Sequence, residues 1–158
     1  MKSNAIIYAS DASNGSRQVF EFAISQAIKH QSQIIYVHAV NKANSVMTEI
    51  AFSYLPGDVD QCHSRKKKQE LIENIKQRIN RFLTERLSEL DENVKFSVCV
   101  QFGEPEEVII NTARHFNAEL IVMGIRKSGE LSRVFLGSTP AKVLRQSTIP
   151  VLIVPITN

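Results

Sequence analysis

Leu120-Ile-Val-Met-Gly124-Ile-Arg-Lys-Ser-Gly-Glu-Leu-Ser-Arg-Val-Phe-Leu-Gly137-Ser-Thr-Pro-Ala-Lys-Val-Leu-Arg145 is the stretch whose reading decides the fold. The apolar run Leu120–Met123 leads straight into a glycine. Such a run reads as a buried parallel strand delivering the chain to its carboxyl end. The segment closes on Gly137-Ser138, followed by Thr139, Pro140 and Ala141-Lys-Val-Leu-Arg145. That second half reads as a helix start, with Ser138 as the cap and Pro140 in the first turn. A glycine loop that joins a strand end to a helix N-terminus is a ready anion site, because unpaired backbone N–H groups point outward there. One stretch therefore predicts a topology and a ligand class together.

Working outward, the rest of the chain supplies the partners that such a strand needs. Ala5-Ile-Ile-Tyr-Ala9 reads as strand one and ends in the turn and capping cluster Ser10-Asp11-Ala12-Ser13-Asn14-Gly15. Val19, Phe20, Ala23, Ile24, Ala27 and Ile28 recur at helical spacing, so helix one runs to about Lys29 or His30. Gln33-Ile-Ile-Tyr-Val-His-Ala39 is strand two. Residues 41–64 show no clear period beyond a possible helical turn around Val46–Tyr54, and that length suggests a functional flap or a partly mobile loop. Helix two shows one apolar face of Leu71, Ile75, Ile79, Phe82, Leu83, Leu87 and Leu90. Val94–Val100 is strand three. Gly103-Glu-Pro105-Glu-Glu opens helix three, with proline in the first turn, carboxylates at the positive dipole end, and a core face of Val108, Ile109, Thr112, Ala113 and Phe116. Strand four is Leu120–Met123, helix four follows Ser138, and strand five is Val151–Val154 between Pro150 and Pro155. Strands alternating with helices argue an α/β fold, a parallel sheet with helices on both faces. Proline in sheets is confined to edges and strand ends, so strand five is an edge strand. An apolar edge needs a cover, which makes it the natural homodimer contact.

Composition bounds the function. At 158 residues the chain fits a single domain, 1–158, and can bury enough surface to need no staples. Its 43% hydrophobic and 22% charged residues are ordinary for a globular protein. A net charge of +3 does not argue for nucleic acid, and the basic run Arg65-Lys-Lys-Lys68 reads as the solvated start of helix two. Cys62, in a polar linker, and Cys99, inside an apolar strand, read as two reduced structural thiols. The scattered His30, His38, His63 and His115 have no zinc spacing and read as surface or helix-end residues, so no metal site is expected. The N-terminus lacks an apolar stretch long enough for a secretory signal, and no run approaches the ~18 apolar residues a membrane span needs. A cytoplasmic location is the resulting expectation.

Ligands of open α/β sheets bind at the carboxyl ends of strands where the strand order reverses. The loops arriving there follow strands one, two and four. They offer Ser10 and Asp11, then Ala39 and Val40, then Gly124 to Ser138. A nucleotide is the economical ligand, with Gly137 and Ser138 holding phosphates. Asp11 would accept hydrogen bonds from the ligand or orient the glycine loop, unless its only role is to cap helix one. Gly124-Ile-Arg-Lys-Ser-Gly129 has P-loop glycine spacing, but Glu130 and Leu131 stand where Lys and Ser/Thr are required. No Gly-x-Gly-x-x-Gly follows strand one, and no Gly-x-Ser-x-Gly elbow occurs. Nothing points to a dedicated catalyst; at most the chain is a slow ATPase.

The chain resembles the universal stress protein family over essentially its whole length. The resemblance rests on Tyr8-Ala-Ser-Asp11-Ala-Ser13, Tyr36-Val-His-Ala39 and Gly103-Glu-Pro105. Above all it rests on Val122-Met-Gly124 through Leu131-Ser-Arg133 to Leu136-Gly-Ser138, with Val143-Leu-Arg145 and Ile149-Pro-Val-Leu-Ile-Val154 behind. It implies an open five-stranded parallel sheet of order 3-2-1-4-5, similar to adenine nucleotide alpha hydrolases, and homodimers joined through the last strand. It also implies a branch that binds ATP, with or without Mg, and a branch that does not. The ATP pattern of the family is Gly, two residues, Gly, nine residues, Gly, then Ser or Thr. Gly124, Gly137 and Ser138 match it, whereas Lys127 replaces the second glycine and Glu130 stands where another glycine is common. Carried over residue by residue, adenine and ribose would meet Ala9, Ser10, Asp11, Ala39, Met123 and Gly124. Phosphates would meet Gly137, Ser138 and Thr139, with Lys127 adding positive charge. The implied role is a homodimeric stress-response regulator or sensor binding an adenine nucleotide; the alternative is a dimer without nucleotide that works through an unknown protein partner.

Overall fold

A computed structural model describes residues 4–11, 16–41, 61–90, 93–126 and 136–156. The chain alternates strand and helix throughout: β1 (Ala5–Ala9), α1 (Ser16–His30), β2 (Gln33–Val40), α2 (Gln61–Glu89), β3 (Phe96–Phe102), α3 (Pro105–His115), β4 (Ala118–Arg126), α4 (Ser138–Gln146) and β5 (Val151–Ile156). The five strands form one parallel sheet of order β3-β2-β1-β4-β5. This is the architecture expected from the sequence pattern and the strand order implied by the family resemblance.

Two cores cover the two faces of the sheet, and side-chain alternation assigns residues to them. Ile6 and Tyr8 of β1 point to one face with Ile34 and Tyr36 of β2, where Phe20 and Ala23 of α1 and Leu83 of α2 meet them. Ile7 of β1 and Ile35 and Val37 of β2 point to the other face, against Val108, Ile109 and Ala113 of α3 and Val143 of α4. β1 and β2 are buried on both faces, which is why they read as unbroken apolar runs. On the α1–α2 side, Tyr8 meets Tyr36 edge-on with ring centroids 5.1 Å apart.

Several boundaries differ from the sequence reading. β4 does not stop at Met123; it continues through Gly124 to Arg126, paired with Val154–Ile156 of β5. Gly124 is a strand residue with a packing reason: a Cβ there would lie 2.7 Å from Val19 Cγ2 and 2.9 Å from Ile156 Cδ1. β3 starts at Phe96 rather than Val94 and reaches Phe102. Pro155 lies inside β5 rather than beyond it, a position an edge strand tolerates. α2 begins at Gln61, so Cys62 is a helical residue and not part of a linker. Ile28 and Phe82, expected on core faces, are exposed at 45% and 38%. Phe82 keeps a ring contact to Phe20 at 6.1 Å, so it caps the α1–α2 seam from outside. That seam is also tied by Arg86, which is buried and reaches Glu21 of α1 and Glu89 of its own helix. The expected turn around Val46–Tyr54 lies outside the described residues.

Candidate functional site

The strand order reverses between the central strand β1 and its neighbour β4. From β1 the chain crosses to β2 by way of α1, and from β4 it crosses to β5 on the other side by way of α4. Loops leaving β1 and β4 therefore diverge, and a crevice opens at their carboxyl ends. A cleft of about 520 Å³ lies there. Ala9, Ser10 and Asp11 form its β1 wall, Ala39 its β2 wall, Met123 and Gly124 its β4 wall, and Gly137, Ser138 and Thr139 its rim at α4. Nine residues singled out from the sequence thus share one cleft although they come from four places in the chain. Lys127 and Glu130 lie outside the described residues.

The α4 rim has the character of an anion cradle. The N-cap is Gly137, exposed and without any side-chain cap bond, and Ser138 is the first helical residue. This corrects the expectation that Ser138 caps the helix. The carbonyl of Gly137 accepts the first intrahelical bond, from the Ala141 N–H at 3.1 Å. The N–H groups ahead of Ala141 are the ones a helix cannot satisfy from within. Pro140 has none to satisfy, and its ring carbon would be an ordinary 3.6 Å from a Cβ at position 137, so the glycine leaves the rim open rather than relieving a clash.

The β1 wall is held by its neighbour. The Ser10 N–H donates to the Val37 carbonyl at 3.0 Å, and the Ser10 carbonyl faces His38 Nδ1 at 2.9 Å. His38 is therefore a half-buried strand residue, neither a free surface group nor a helix-end group. Burial pushes the Tyr36 phenol above its usual range, a hydrogen bond with the Ser10 side chain works the other way, and the Asp11 charge adds to the rise. Asp11 is exposed, and the described part of α1 starts at Ser16. The Asp11 carboxylate stands at the mouth of the cleft.

Below the rim, α3 and α4 are joined by Glu106 and Lys142, whose Nζ lies 2.8 Å from the carboxylate. Lys142 holds the buried Glu106 carboxyl below the usual range, helped by a backbone hydrogen bond, and Glu106 in turn raises Lys142. Pro105, next to Glu106, is part of the cleft wall.

Sequence reasoning missed Asn41 and Arg126, which also line the cleft. Arg126 is exposed on the last residue of β4. The signal for it was the buried Ile125 after Gly124, which keeps the strand alternation going for two more residues. Among the described residues no group of three or more His, Cys, Asp or Glu side chains is placed to hold a metal ion.

A model of the universal stress protein family matches residues 3–155. The chain belongs to the universal stress protein family. Among its relatives, the universal stress protein YxiE of Bacillus subtilis is 29% identical over 157 residues, covering 96% of this chain and 98% of that one. The fold is shared with a universal stress protein solved in complex with cAMP, at 20% identity and a TM-score of 0.62, covering 99% of this chain and 100% of that one. It is shared as well with the universal stress protein of Archaeoglobus fulgidus solved in complex with dAMP, at 19% identity and a TM-score of 0.57, covering 97% and 98%. In this universal stress protein no helix among the described residues is long and apolar enough to cross a membrane.

Proposed function

We propose that this universal stress protein binds an adenine nucleotide in the cleft at the β1–β4 switch point and serves as a homodimeric, cytoplasmic regulator or sensor in the stress response. The observation that carries the reading is the meeting, in one cleft, of an exposed carboxylate at Asp11 and an open helix N-terminus at Gly137–Thr139. A nucleotide has hydroxyl and amino donors at one end and anionic phosphate at the other. An acceptor on one wall and N–H donors with a positive helix end on the other match that polarity. Between them Ala9, Ala39 and Met123 are short or apolar, which suits the flat face of adenine. Arg126 adds a cation on the phosphate side of the β4 wall. Two structures of the same fold were solved with adenine mononucleotides, cAMP and dAMP, which supports the ligand class.

ATP is the ligand we favour, with or without Mg, because Gly124, Gly137 and Ser138 keep the family's spacing and Lys127 lies between them in the sequence. The homodimer contact is β5, an edge strand whose Val151, Leu152 and Ile153 are only half-buried in the single chain. A dimer that works through a protein partner without nucleotide is the second reading, favoured by Lys127 and Glu130 in place of glycines.

Calorimetric titration separates the two. Saturable ATP binding is expected, weakened in Ser138→Ala by roughly 1–3 kcal/mol, the cost of a hydrogen bond to a charged group. An absence of heat and of thermal shift at millimolar ATP would favour the second reading.

A further inference from the structure

Three consecutive residues of β2 converge on one residue of the β1 loop. Ser10 is the first residue past β1, and Ala9 stands in register with Val37. The Val37 carbonyl takes the Ser10 N–H at 3.0 Å, which extends the ladder one step beyond the strand. Tyr36 and His38 lie on the same face of β2, on either side of Val37. His38 Nδ1 approaches the Ser10 carbonyl at 2.9 Å, and the Ser10 side chain works against the rise that burial gives the Tyr36 phenol. N–H and carbonyl of Ser10 are thus both engaged by one neighbouring strand, with the buried Tyr36 two residues before His38 and on the same side of it.

We infer that His38 and Tyr36 are positioning residues of the nucleotide site: they lock Ser10 against β2 so that Asp11 projects into the cleft in a fixed direction. The inference rests on the proposed nucleotide reading and adds to it how the ligand-facing carboxylate is held. A carbonyl oxygen only accepts, so His38 must carry a proton on Nδ1. Its tautomer is therefore dictated by Ser10. Next to glycine-rich loops that bind through backbone, a single exposed carboxylate on a loop gains specificity only if its backbone is fixed beforehand, because otherwise the ligand must order it. Tyr36 is rigidly seated for this task, buried and edge-on to Tyr8.

The test has one arm without ligand and one with it. In the free protein, nitrogen NMR of the imidazole above the usual histidine pKa should show His38 protonated at Nδ1 and bare at Nε2. The Ser10 amide should exchange slowly and lose that protection in His38→Ala, while amides of β5 keep theirs. In the second arm, AMP affinity should fall about threefold to tenfold in His38→Ala, the scale of one lost hydrogen bond. His38→Asn should recover most of it, because Asn Nδ2 occupies nearly the place of Nδ1 and also donates. Tyr36→Phe should weaken AMP without lowering the exchange protection of Val37 or Ala39. A neutral His38 protonated at Nε2 overturns the inference, and so does wild-type AMP affinity retained in His38→Ala. A wild-type protein that binds no AMP while showing the expected tautomer overturns the nucleotide reading instead, leaving the clamp without a ligand to serve.

Discussion

Gly124→Ala adds one carbon to the middle of a strand, and two opposing effects decide its outcome. Alanine loses less backbone freedom on folding than glycine, which favours the variant by up to about 1 kcal/mol. Against this, the new Cβ would sit 2.7 Å from Val19 Cγ2 and 2.9 Å from Ile156 Cδ1, whereas carbon atoms rest at ~3.5–4.0 Å. Ile156 meets it with the end of a flexible side chain and can turn away. Val19 cannot: it is β-branched, held on α1 and 2% exposed. Relief requires α1 to shift, and overpacking of this kind costs about 1–3 kcal/mol. The clash wins, for a net loss of about 1–2 kcal/mol, or roughly 2–8 °C in Tm at this chain length. Val19→Ala alone removes buried methyl groups and should cost about 2 kcal/mol. Combined with Gly124→Ala it should fall short of additivity by about 1 kcal/mol, because each change accommodates the other. Urea unfolding of the four proteins measures the cycle. Strict additivity, or a Gly124→Ala variant as stable as the parent, would refute the packing explanation for this glycine and return it to a role in the loop.

Stability should also respond to pH through the α3–α4 ion pair. Glu106 is held below its ordinary pKa by Lys142, so its contribution is present above the ordinary glutamate pKa and is lost as pH falls through the lowered value. Glu106→Gln should flatten that part of the acid limb in urea unfolding at a series of pH values; an unchanged limb would show that the pair contributes nothing to it. Deleting residues 150–158 should leave a monomer or an aggregate by light scattering, and a dimer that survives the deletion would exclude the β5 contact. Lys127→Ala should weaken ATP more than AMP at one ionic strength, as expected of a cation aimed at the outer phosphates; tighter ATP binding by Lys127→Gly would mean that the natural side chain blocks the site instead.

What the sequence disclosed follows from how local each cause is. β1 and β2 are buried on both faces, so their apolar runs identify them without context. The N-terminus of α3 carries its own signal in Pro105 and the carboxylates after it, and the structure begins that helix at Pro105. The end of β4 was misread because glycine commonly closes a strand; here it exists to admit Val19, a residue more than a hundred positions earlier in the chain. Phe82 fits a helical stripe by spacing, yet it stays 38% exposed while its ring meets Phe20 at the edge of the α1–α2 seam. The same distinction holds at the site. Ser10, Asp11, Ala39, Gly124, Gly137 and Ser138 of the cleft wall could be named from loops and strand ends, since topology brings those ends together, and the family resemblance added Ala9, Met123 and Thr139. Their supports could not. The contact of His38 to Ser10 depends on the register of β2 against β1, and the Glu106–Lys142 bridge depends on how α3 lies beside α4. Neither register nor helix placement is written in any local pattern.

Amide NMR during an ATP titration tests the central claim most directly, because it reads binding and location at once. The account predicts saturable shifts that share one dissociation constant at Ser10 and Asp11, at Ala39, at Met123 and Gly124, and at Gly137, Ser138 and Thr139. Shifts gathered instead on the exposed face of α2, or none at saturating ATP, would contradict it.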